Sequence, residues 1–243
     1  MVKPSKPKRL KSIHFLGTSR KDVKSLPKGA RAVFGFAFLL AENGMRHPDA
    51  KPLTGFGGAG VIEVVEDLDG DAYRAVYTVK FGGMVYVLHA FKKKSKVGSK
   101  TPPRDMEMIV KRLKEAEEHY KRTTRQKRSH ESRGGEMAKK ARITQCSGNI
   151  FADLGIDRPE EHYVKAHLVI LITKMIEAQG LTQAQAATAM GLRQPDVSKL
   201  LRGRFEGVSL ERLLKCVRAL GADVEIKVKP SKPKHEGRIL VAA

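Results

Sequence analysis

The chain has 243 residues, which is enough for one large domain or for two small ones, each with its own hydrophobic core. It contains no tryptophan and carries a formal net charge of +21, and both halves of the chain are basic. So strong a positive charge indicates an anionic partner. Nucleic acid is favoured over a membrane surface, because neither a basic amphipathic helix nor a lipidation signal accompanies the charge.

The cysteines and the lengths of the apolar runs narrow the class of protein further. The two cysteines, Cys146 and Cys216, lie far apart in sequence, and the N-terminus has no signal-like apolar stretch. No run of about 18 apolar residues occurs, as a membrane-spanning helix would need. We therefore expect a reducing, cytoplasmic location without a membrane partner, and we interpret Cys216 as a small core residue.

Helical signals follow a basic N-terminal arm. Helix starts are predicted at Ser19 and at Pro27, and a stop is predicted at Asn43. Between these signals, apolar residues at helical spacing predict one buried stripe: Ala30, Val33, Phe34, Ala37, Leu40 and Ala41. Three further apolar residues lie off this stripe and need cover from the sheet or from a partner helix: Phe36, Phe38 and Leu39.

Three strands are predicted next, over residues 61–67, 73–80 and 84–91, where the apolar period changes to two. The turns between them are short, which predicts an antiparallel sheet. A helix follows, capped by Thr101 and with an apolar side that begins at Met106. The first half is therefore predicted as an α+β domain of N-terminal helices, an antiparallel sheet and a C-terminal helix.

Basic side chains gather where the third strand ends, within reach of Arg74 on the middle strand. They are His89, Lys92, Lys93 and Lys94. Cleavage of RNA by its own 2′-OH needs fixed cations that position the phosphate and stabilise the phosphorane. The alternative is structural, because a lysine run is usually a solvated face and an arginine in a strand is often an ion-pair partner.

We expect this chemistry to need neither a metal nor another cofactor. The sequence has no HExxH motif, no Cys/His ligand spacing and no acidic cluster suited to two metal ions. His89 is the best candidate proton carrier, because histidine titrates near neutral pH without perturbation. His14 and His119 are the alternatives for that role.

The motif YRAVY, followed by VYVLHAFKKKS and TP, resembles the phage-derived branch of RelE/HigB-like toxins over roughly residues 12–122. That family cuts messenger RNA on the ribosome. The resemblance implies that Arg74 and the lysines after the last strand carry the reaction: Lys92, Lys93 and Lys94. The preceding strand departs from the pattern, because it has Glu63 and Glu66 where some relatives supply lysines, which implies weaker activity or a different basic set.

The segment LTQAQAATAMGLRQPDVSKLLRG has the internal pattern of a helix-turn-helix. Gly191 makes the turn, Leu192 fills the corner, and Pro195 is tolerated in the first turn of the second helix. The predicted inward residues are Ala186, Ala187, Met190, Val197, Leu200 and Leu201. An amphipathic helix pair with no role in DNA binding is the alternative interpretation.

The exposed positions of this motif predict a DNA interface. The major groove would be contacted by Gln194, Asp196, Ser198 and Lys199. The phosphates would be contacted by Gln183, Arg193, Arg202 and Arg204. The motif resembles the XRE/Cro-type family, specifically HigA-like antitoxins, over roughly residues 149–228, and this resemblance implies operator DNA as a partner.

Helices are predicted on both sides of the motif, and a short alternating strand is predicted over residues 222–229. The second helix would begin after Ser209 and stop at Gly221. The strand is isolated in an otherwise helical domain and needs a partner. A second copy of the chain is the simplest supplier, which is consistent with the homodimers that palindromic operators require.

The heptapeptide VKPSKPK occurs at residues 2–8 and again at 228–234. Lysine and proline cannot bury a hydrophobic face, so the two copies are predicted to be basic, polyproline-like tails rather than a structural repeat. Solvated tails are the simpler interpretation, and contact with phosphates is the alternative.

The stretch RGGEMAKKAR looks like a second protein start in the middle of the chain. We therefore predict a toxin domain over residues 1–122, a flexible basic linker over 123–136 and an antitoxin domain over 137–243. A translated intergenic gap and a deliberate joining of two reading frames are equally compatible with the junction.

The sequence predicts a fused type II toxin–antitoxin protein. Its first half would cut messenger RNA on the ribosome, and its second half would restrain the first and bind operator DNA. The main alternative is a DNA-binding regulator whose toxin-like half is inactive and binds a partner. A DNA nuclease or recombination factor is a third possibility that no metal site supports.

Overall fold

The structure, a computed structural model, describes residues 10–56, 60–93, 101–128 and 143–230, together with residues 239 and 241. The chain divides into two compact units, Met1–Gly148 and Asn149–Ala243. The first unit is α+β and the second is helical, as the sequence predicts. In the described part of the chain, every helix is too short or too polar to cross a bilayer. The predicted tails at 2–8 and 231–234 lie outside the described residues.

The first unit contains one sheet of six strands and three helices. In chain order these are β1 (Ser12–Leu16), α1 (Ser19–Lys24), α2 (Lys28–Glu42), β2 (Ala50–Pro52), β3 (Val61–Leu68), β4 (Asp71–Thr78), β5 (Met84–Lys93), α3 (Pro103–Arg128) and β6 (Ile143–Gln145). The strands lie in the order β2-β3-β4-β5-β1-β6. The three predicted strands and the predicted helices are confirmed.

The prediction of a purely antiparallel sheet after N-terminal helices is wrong in one respect, because β1 precedes the helices and pairs parallel with β5. The remaining strand pairs are antiparallel. Strand β1 lies inside the sheet, and Ile13 and Phe15 are each 1% exposed. The sequence does not mark this strand, because the segment is short, follows a run of basic residues and is interrupted by His14.

Helices cover both faces of the sheet. The apolar residues of α2 are buried around its whole circumference, including Phe36, Phe38 and Leu39, which confirms that the residues off the stripe need cover. The Phe38 ring lies 5.5 Å from that of Tyr77 on one face. On the other face, α3 packs through Ile109 and Ala116 on a cluster that includes Val76 of β4. The unit therefore has three layers.

The predicted linker over 123–136 differs from the structure at its start, because α3 continues to Arg128. No glycine or proline interrupts the sequence from 104 to 133, so no local signal ends the helix at 122. Residues 129–142 lie outside the described residues. Beyond them, β6 pairs with β1 although it falls within the predicted antitoxin half, and the division between the two units follows at Gly148.

The second unit is a bundle of five helices in its described part: α4 (Ile150–Asp153), α5 (Pro159–Ala178), α6 (Gln183–Met190), α7 (Gln194–Leu201) and α8 (Leu210–Ala219). Helix α5 supplies much of the core, with Val169 and Ile172 fully buried. Cys216 on α8 is 2% exposed, and burial raises the pKa of its thiol. The interpretation of Cys216 as a core residue is confirmed.

The strand predicted over residues 222–229 does not form within the chain, although the segment is described. A strand needs a partner for its backbone hydrogen bonds, and no strand of the described residues pairs with this segment. Its apolar side chains are therefore left in solvent, with Ile226 79% exposed and Val228 89% exposed.

Candidate functional sites

Strand register decides which of the predicted catalytic residues share a face of the sheet. On β4 and β5, Arg74 lies opposite Phe91 and Ala72 lies opposite Lys93. Side chains alternate along a strand, so Arg74 and Lys93 lie on one face. Lys92 lies opposite Tyr73 and hence on the other face. The structure therefore separates Lys92 from Arg74, and Lys94 lies outside the described residues.

A β-bulge brings His89 onto the same face as Arg74. Val76 pairs with His89 while Tyr77 pairs with Val87, so Leu88 is an extra residue on β5. Leu88 and His89 consequently both point toward the α3 side of the sheet. The bulge gives β5 room for a polar side chain beside the apolar cluster under α3.

Arg74 is buried and paired. Its Nη1 donates to Glu63 Oε1 at 2.7 Å, and the two side chains are 8% and 12% exposed. Glu63 lies on β3 opposite Val76, which puts it on the Arg74 face. Glu66 lies opposite Tyr73 on the other face. Of the two acidic departures in β3, Glu63 is thus the one that neutralises Arg74.

His89 belongs to a half-buried network that joins α1 and α3 to the sheet. Its Nδ1 lies 3.0 Å from Asp22 Oδ2, and its Nε2 lies 3.1 Å from Asp105 Oδ1. Arg112 on α3 donates to the same Asp22 oxygen at 2.8 Å, to Leu88 O at 2.6 Å and to a threonine hydroxyl on the loop before α1. Both ring nitrogens of His89 are therefore occupied by carboxylates.

The network keeps the Asp22 carboxylate charged despite its burial. Burial alone would raise the pKa of Asp22, but hydrogen bonds from His89 and Arg112, together with the Arg112 charge, lower it on balance. In the sequence, Asp22 is marked only by its place three residues after the helix start at Ser19. The missed signal is Arg112, a basic residue that stands between Ile109 and Ala116 on the inward side of α3.

Lys92 lies at the rim of the opposite face and is half exposed. Its Nζ lies 2.6 Å from Asp71 Oδ2, and this hydrogen bond is the main reason why the pKa of Lys92 is raised. The pair is open to solvent, so screening makes it weak and easily exchanged for another anion.

The two alternative histidines, His14 and His119, come together around Tyr86. The parallel pairing of β1 with β5 places His14 beside Tyr86, with ring centroids 5.4 Å apart. The Tyr86 hydroxyl lies 2.8 Å from His119 Nδ1, and the His14 and His119 rings are 5.4 Å apart. Burial, helped by His119, lowers the pKa of His14 to about 4. Both imidazoles are thus held neutral at physiological pH, as proton acceptors must be.

Among the residues that the structure describes, no group of three or more His, Cys, Asp or Glu side chains is arranged to hold a metal ion.

In the second unit, local signals fix the helix-turn-helix geometry. Thr182 and Gln185 form a reciprocal capping box at the start of α6. Gly191 ends α6 with a φ of 63°, a left-handed conformation that favours glycine. Helix α7 then begins at Gln194 with Pro195 in its first turn. The predicted inward residues are all buried: Ala186, Ala187, Met190, Val197, Leu200 and Leu201.

The predicted DNA-contacting residues form linked pairs on the surface of the motif. Gln194 Nε2 donates to Gln183 Oε1 at 3.0 Å, which joins the starts of α6 and α7. Arg193 Nε lies 2.9 Å from Asp196 Oδ2, and hydrogen bonding from Arg193 lowers the pKa of Asp196. Arg202 Nη1 donates a hydrogen bond to Ser198 Oγ.

A basic groove of about 540 Å³ runs between α7 and α8. Its cationic lining residues are Arg193, Lys199, Arg204 and Arg212, with Asp196 among them. Arg212 was missed from sequence because it lies in the first turn of α8, outside the motif. The available signal was its place three residues after the Ser209 cap, whose hydroxyl accepts a hydrogen bond from Arg212 N. The groove concentrates positive charge beside the exposed edge of α7, where an anionic backbone can approach.

The matches to known protein families fall separately in the two units. Residues 21–114 match a family described as phage derived protein Gp49-like, and residues 150–229 match one described as helix-turn-helix domain. A solved structure described as a putative XRE family transcriptional regulator is 40% identical, over 35% of this chain and 96% of that chain, with a TM-score of 0.33. Comparison with curated proteins gave no significant match.

The chain therefore joins a Gp49-like, phage-derived domain to a helix-turn-helix domain. The second unit carries the helix-turn-helix domain, and the sequence similarity to the regulator extends over nearly the whole length of that protein. The resemblance of the first unit to phage-derived toxins agrees with the Gp49-like match.

Proposed function

We propose that this union of a Gp49-like domain with an XRE-family domain is a fused type II toxin–antitoxin protein of the HigB/HigA kind. The first unit cleaves messenger RNA on the ribosome without a metal ion. The second half of the chain restrains that activity and represses its own operator as a homodimer. The reaction takes place in the cytoplasm, where the ribosome and the operator are both accessible.

The observation that carries this proposal is β6. Residues 143–145 belong to the half predicted as antitoxin, yet they extend the sheet of the half predicted as toxin. Leu16 pairs with Ile143 and His14 pairs with Gln145, and Cys146 N donates to Ile13 O at 2.9 Å. Ile143 also packs against the apolar cluster under α3. Strand addition to a sheet edge is a common way for one protein segment to bind another.

The face that carries Arg74 is suited to phosphate chemistry. Arg74 and Lys93 are cations that could position a scissile phosphate and stabilise its additional charge in the transition state. The neutral pair His14 and His119, linked through Tyr86, has the protonation state needed to accept a proton from the 2′-OH. His89 is less suited to that role than the sequence predicts, because both of its nitrogens already contact carboxylates.

The same contacts favour a second candidate function, a DNA-binding regulator with an inactive toxin-like domain. Arg74 is neutralised by Glu63, and Lys92 by Asp71. If these pairs persist on the ribosome, the first unit keeps a toxin fold without toxin activity and serves to bind a partner. The decisive property is whether Arg74 can exchange Glu63 for a phosphate.

Cleavage of messenger RNA by translating ribosomes distinguishes the two functions. The test protein is residues 1–128, which retain all of α3 and lack β6, and the full chain is the inhibited reference. We expect the fragment to cleave and Arg74→Ala to slow cleavage by about 10²–10³-fold, as for loss of one transition-state hydrogen-bond donor. Glu63→Gln should raise the rate, because it releases Arg74.

Matched controls separate catalysis from folding. Lys51→Ala removes an exposed charge from β2 and should leave cleavage unchanged. Circular dichroism establishes that each fragment is folded. If the wild-type fragment and its Glu63→Gln variant are both folded and both leave messenger RNA intact, the inactive regulator is favoured.

A further inference from the structure

The segment that follows α8 has two chemically distinct faces and is exposed along its length. Its apolar residues alternate with charged ones, and Val224, Ile226 and Val228 are 36%, 79% and 89% exposed. The charged residues between and beside them are Asp223, Glu225, Lys227 and Lys229. Alternation of β-branched and polar residues is the pattern of a strand with one covered face. Native proteins usually pair or cover such an edge.

We propose that residues 222–229 pair with the same segment of a second copy of this chain, antiparallel and centred on Ile226. The inference rests on the proposed homodimer and assigns its surface. A two-fold axis would pass beside Ile226, which would lie opposite the partner's Ile226. This is an isologous contact, in which each copy supplies the same surface and the assembly closes as a dimer.

The charges of the segment complement one another in this register. Glu225 lies opposite the partner's Lys227, and Asp223 lies opposite the partner's Lys229. The two-fold axis repeats both pairs, so four oppositely charged pairs form. On the apolar face, Val224 lies opposite the partner's Val228. Opposite charges and β-branched pairs directly across two strands are the contacts that stabilise an antiparallel ladder.

Other registers are less favourable. A shift of the partner by two residues places either Glu225 or Lys227 opposite its own copy, which sets like charges against each other. A shift by one residue sets apolar side chains opposite charged ones. Parallel pairing in register places every charge opposite itself. The antiparallel register centred on Ile226 is therefore the arrangement that satisfies both faces.

The ends of the segment are defined by residues that limit strand pairing. Gly221, with a φ of 92°, ends α8 and turns the chain away from the helix. Pro230 lacks the backbone N–H that would continue the ladder. A ribbon of this length follows directly after the helix-turn-helix unit. It would couple two such units for binding to two half-sites.

Charge exchange in the full chain tests the register. Glu225→Lys and Lys227→Glu each create two pairs of like charges, and we expect either variant to raise the dimer dissociation constant about tenfold or more in sedimentation equilibrium. The double variant restores opposite charges and should regain wild-type affinity. An equimolar mixture of the two single variants should form a heterodimer. Lys215→Glu, on the exposed side of α8, is the matched control and should not change dimerisation.

Cross-linking tests the position of the axis independently. In a Cys146→Ser background, Ile226→Cys should form an interchain disulfide on mild oxidation, because opposed residues lie about 4.5–5.5 Å apart. Val224→Cys is the control, since its own copy would lie about 13 Å away along the ribbon. A dimer that survives both charge variants, or that cross-links equally at 224 and 226, overturns the assigned surface. A wild-type chain that remains monomeric overturns the homodimer as well, without bearing on cleavage of messenger RNA.

Discussion

The two units hold their candidate functional residues in opposite ways. In the first unit, Arg74 and His89 are buried or half-buried and already paired with carboxylates. In the second, Lys199 and Arg204 are exposed beside an open groove. Chemistry on the first unit therefore requires buried ion pairs to be exchanged, whereas the second unit presents its cations on a solvent-exposed surface.

The largest effect that we expect is on the stability of the first unit. Arg112 is 4% exposed and bonds Asp22, Leu88 O and Thr18. Arg112→Ala leaves Asp22 without its guanidinium partner and should lower the free energy of unfolding by about 3–5 kcal/mol. Denaturant unfolding followed by tyrosine fluorescence measures the free energy of unfolding of this unit, because four of the five tyrosines lie in it.

The matched control for Arg112 is its neighbour. Lys111→Ala removes an exposed charge from the same turn of α3 and should change stability by less than about 0.5 kcal/mol. Equal effects of the two substitutions would mean that the buried network does not stabilise the unit.

A smaller effect should appear as pH dependence of the first unit. His14 has a folded pKa of about 4 against 6.5 in the unfolded chain, so between these values the unfolded state binds more protons. The His14 contribution to stability should therefore fall as pH is lowered from 6.5 to 4, by at most about 3 kcal/mol. His14→Asn should reduce this dependence, as measured by unfolding at pH 4.5 and 7, and His119, whose pKa burial also lowers, contributes in the same direction.

Glu42 should contribute a pH dependence of stability with the opposite sign. Burial raises the pKa of its carboxyl from 4.5 to about 7, so here the folded state binds more protons. The stabilisation is present below pH 4.5 and is lost as pH rises through 7. Between pH 4.5 and 6.5 this contribution opposes that of His14, so Glu42→Gln should remove the loss of stability between pH 4.5 and 7 and leave the His14 dependence more apparent. If both variants retain the wild-type profile, neither group controls the pH dependence.

In the second unit, we expect a moderate effect that depends on salt. Lys199→Glu together with Arg202→Glu should weaken operator binding about tenfold and lower the slope of log affinity against log salt by at least about one, for the lost phosphate contact of Arg202. A gel-shift titration at several salt concentrations measures this. Glu206→Gln is a control that alters an exposed charge near the groove. An unchanged slope would remove Lys199 and Arg202 from the contact surface.

The second unit was predicted from sequence more completely than the first, for a physical reason. The helix-turn-helix is specified by residues close in sequence, such as Thr182 at a cap and Gly191 at a turn. The site of the first unit depends on pairing between distant segments. The parallel contact that brings His14 to Tyr86 and the Asp22–Arg112 bond both link residues more than 60 positions apart, and the bulge that turns His89 arises from the pairing of β5 with β4. Periodicity along one segment cannot reveal such contacts.

The segment 222–229 also shows that periodicity along one segment does not decide whether a strand forms. Its alternation over 222–229 was recognised, but a strand forms only where a partner exists, and the single chain supplies none in its described residues. Conversely, β6 was missed because three residues carry too little pattern to identify a strand. Strand β6 forms because the edge of β1 provides partners for its backbone hydrogen bonds.

The measurement that tests the account most directly compares the intact chain with the same chain cut between its halves. A protease site introduced within residues 131–135 would allow the cut. While the chain is intact, the tether should keep β6 at an effective concentration in the millimolar range, whatever the dilution. The uncut protein should therefore leave messenger RNA intact on translating ribosomes, and the cut protein should gain activity as it is diluted. Cleavage by the uncut chain as fast as by residues 1–128 would contradict the restraint of residues 1–128 by the second half of the chain.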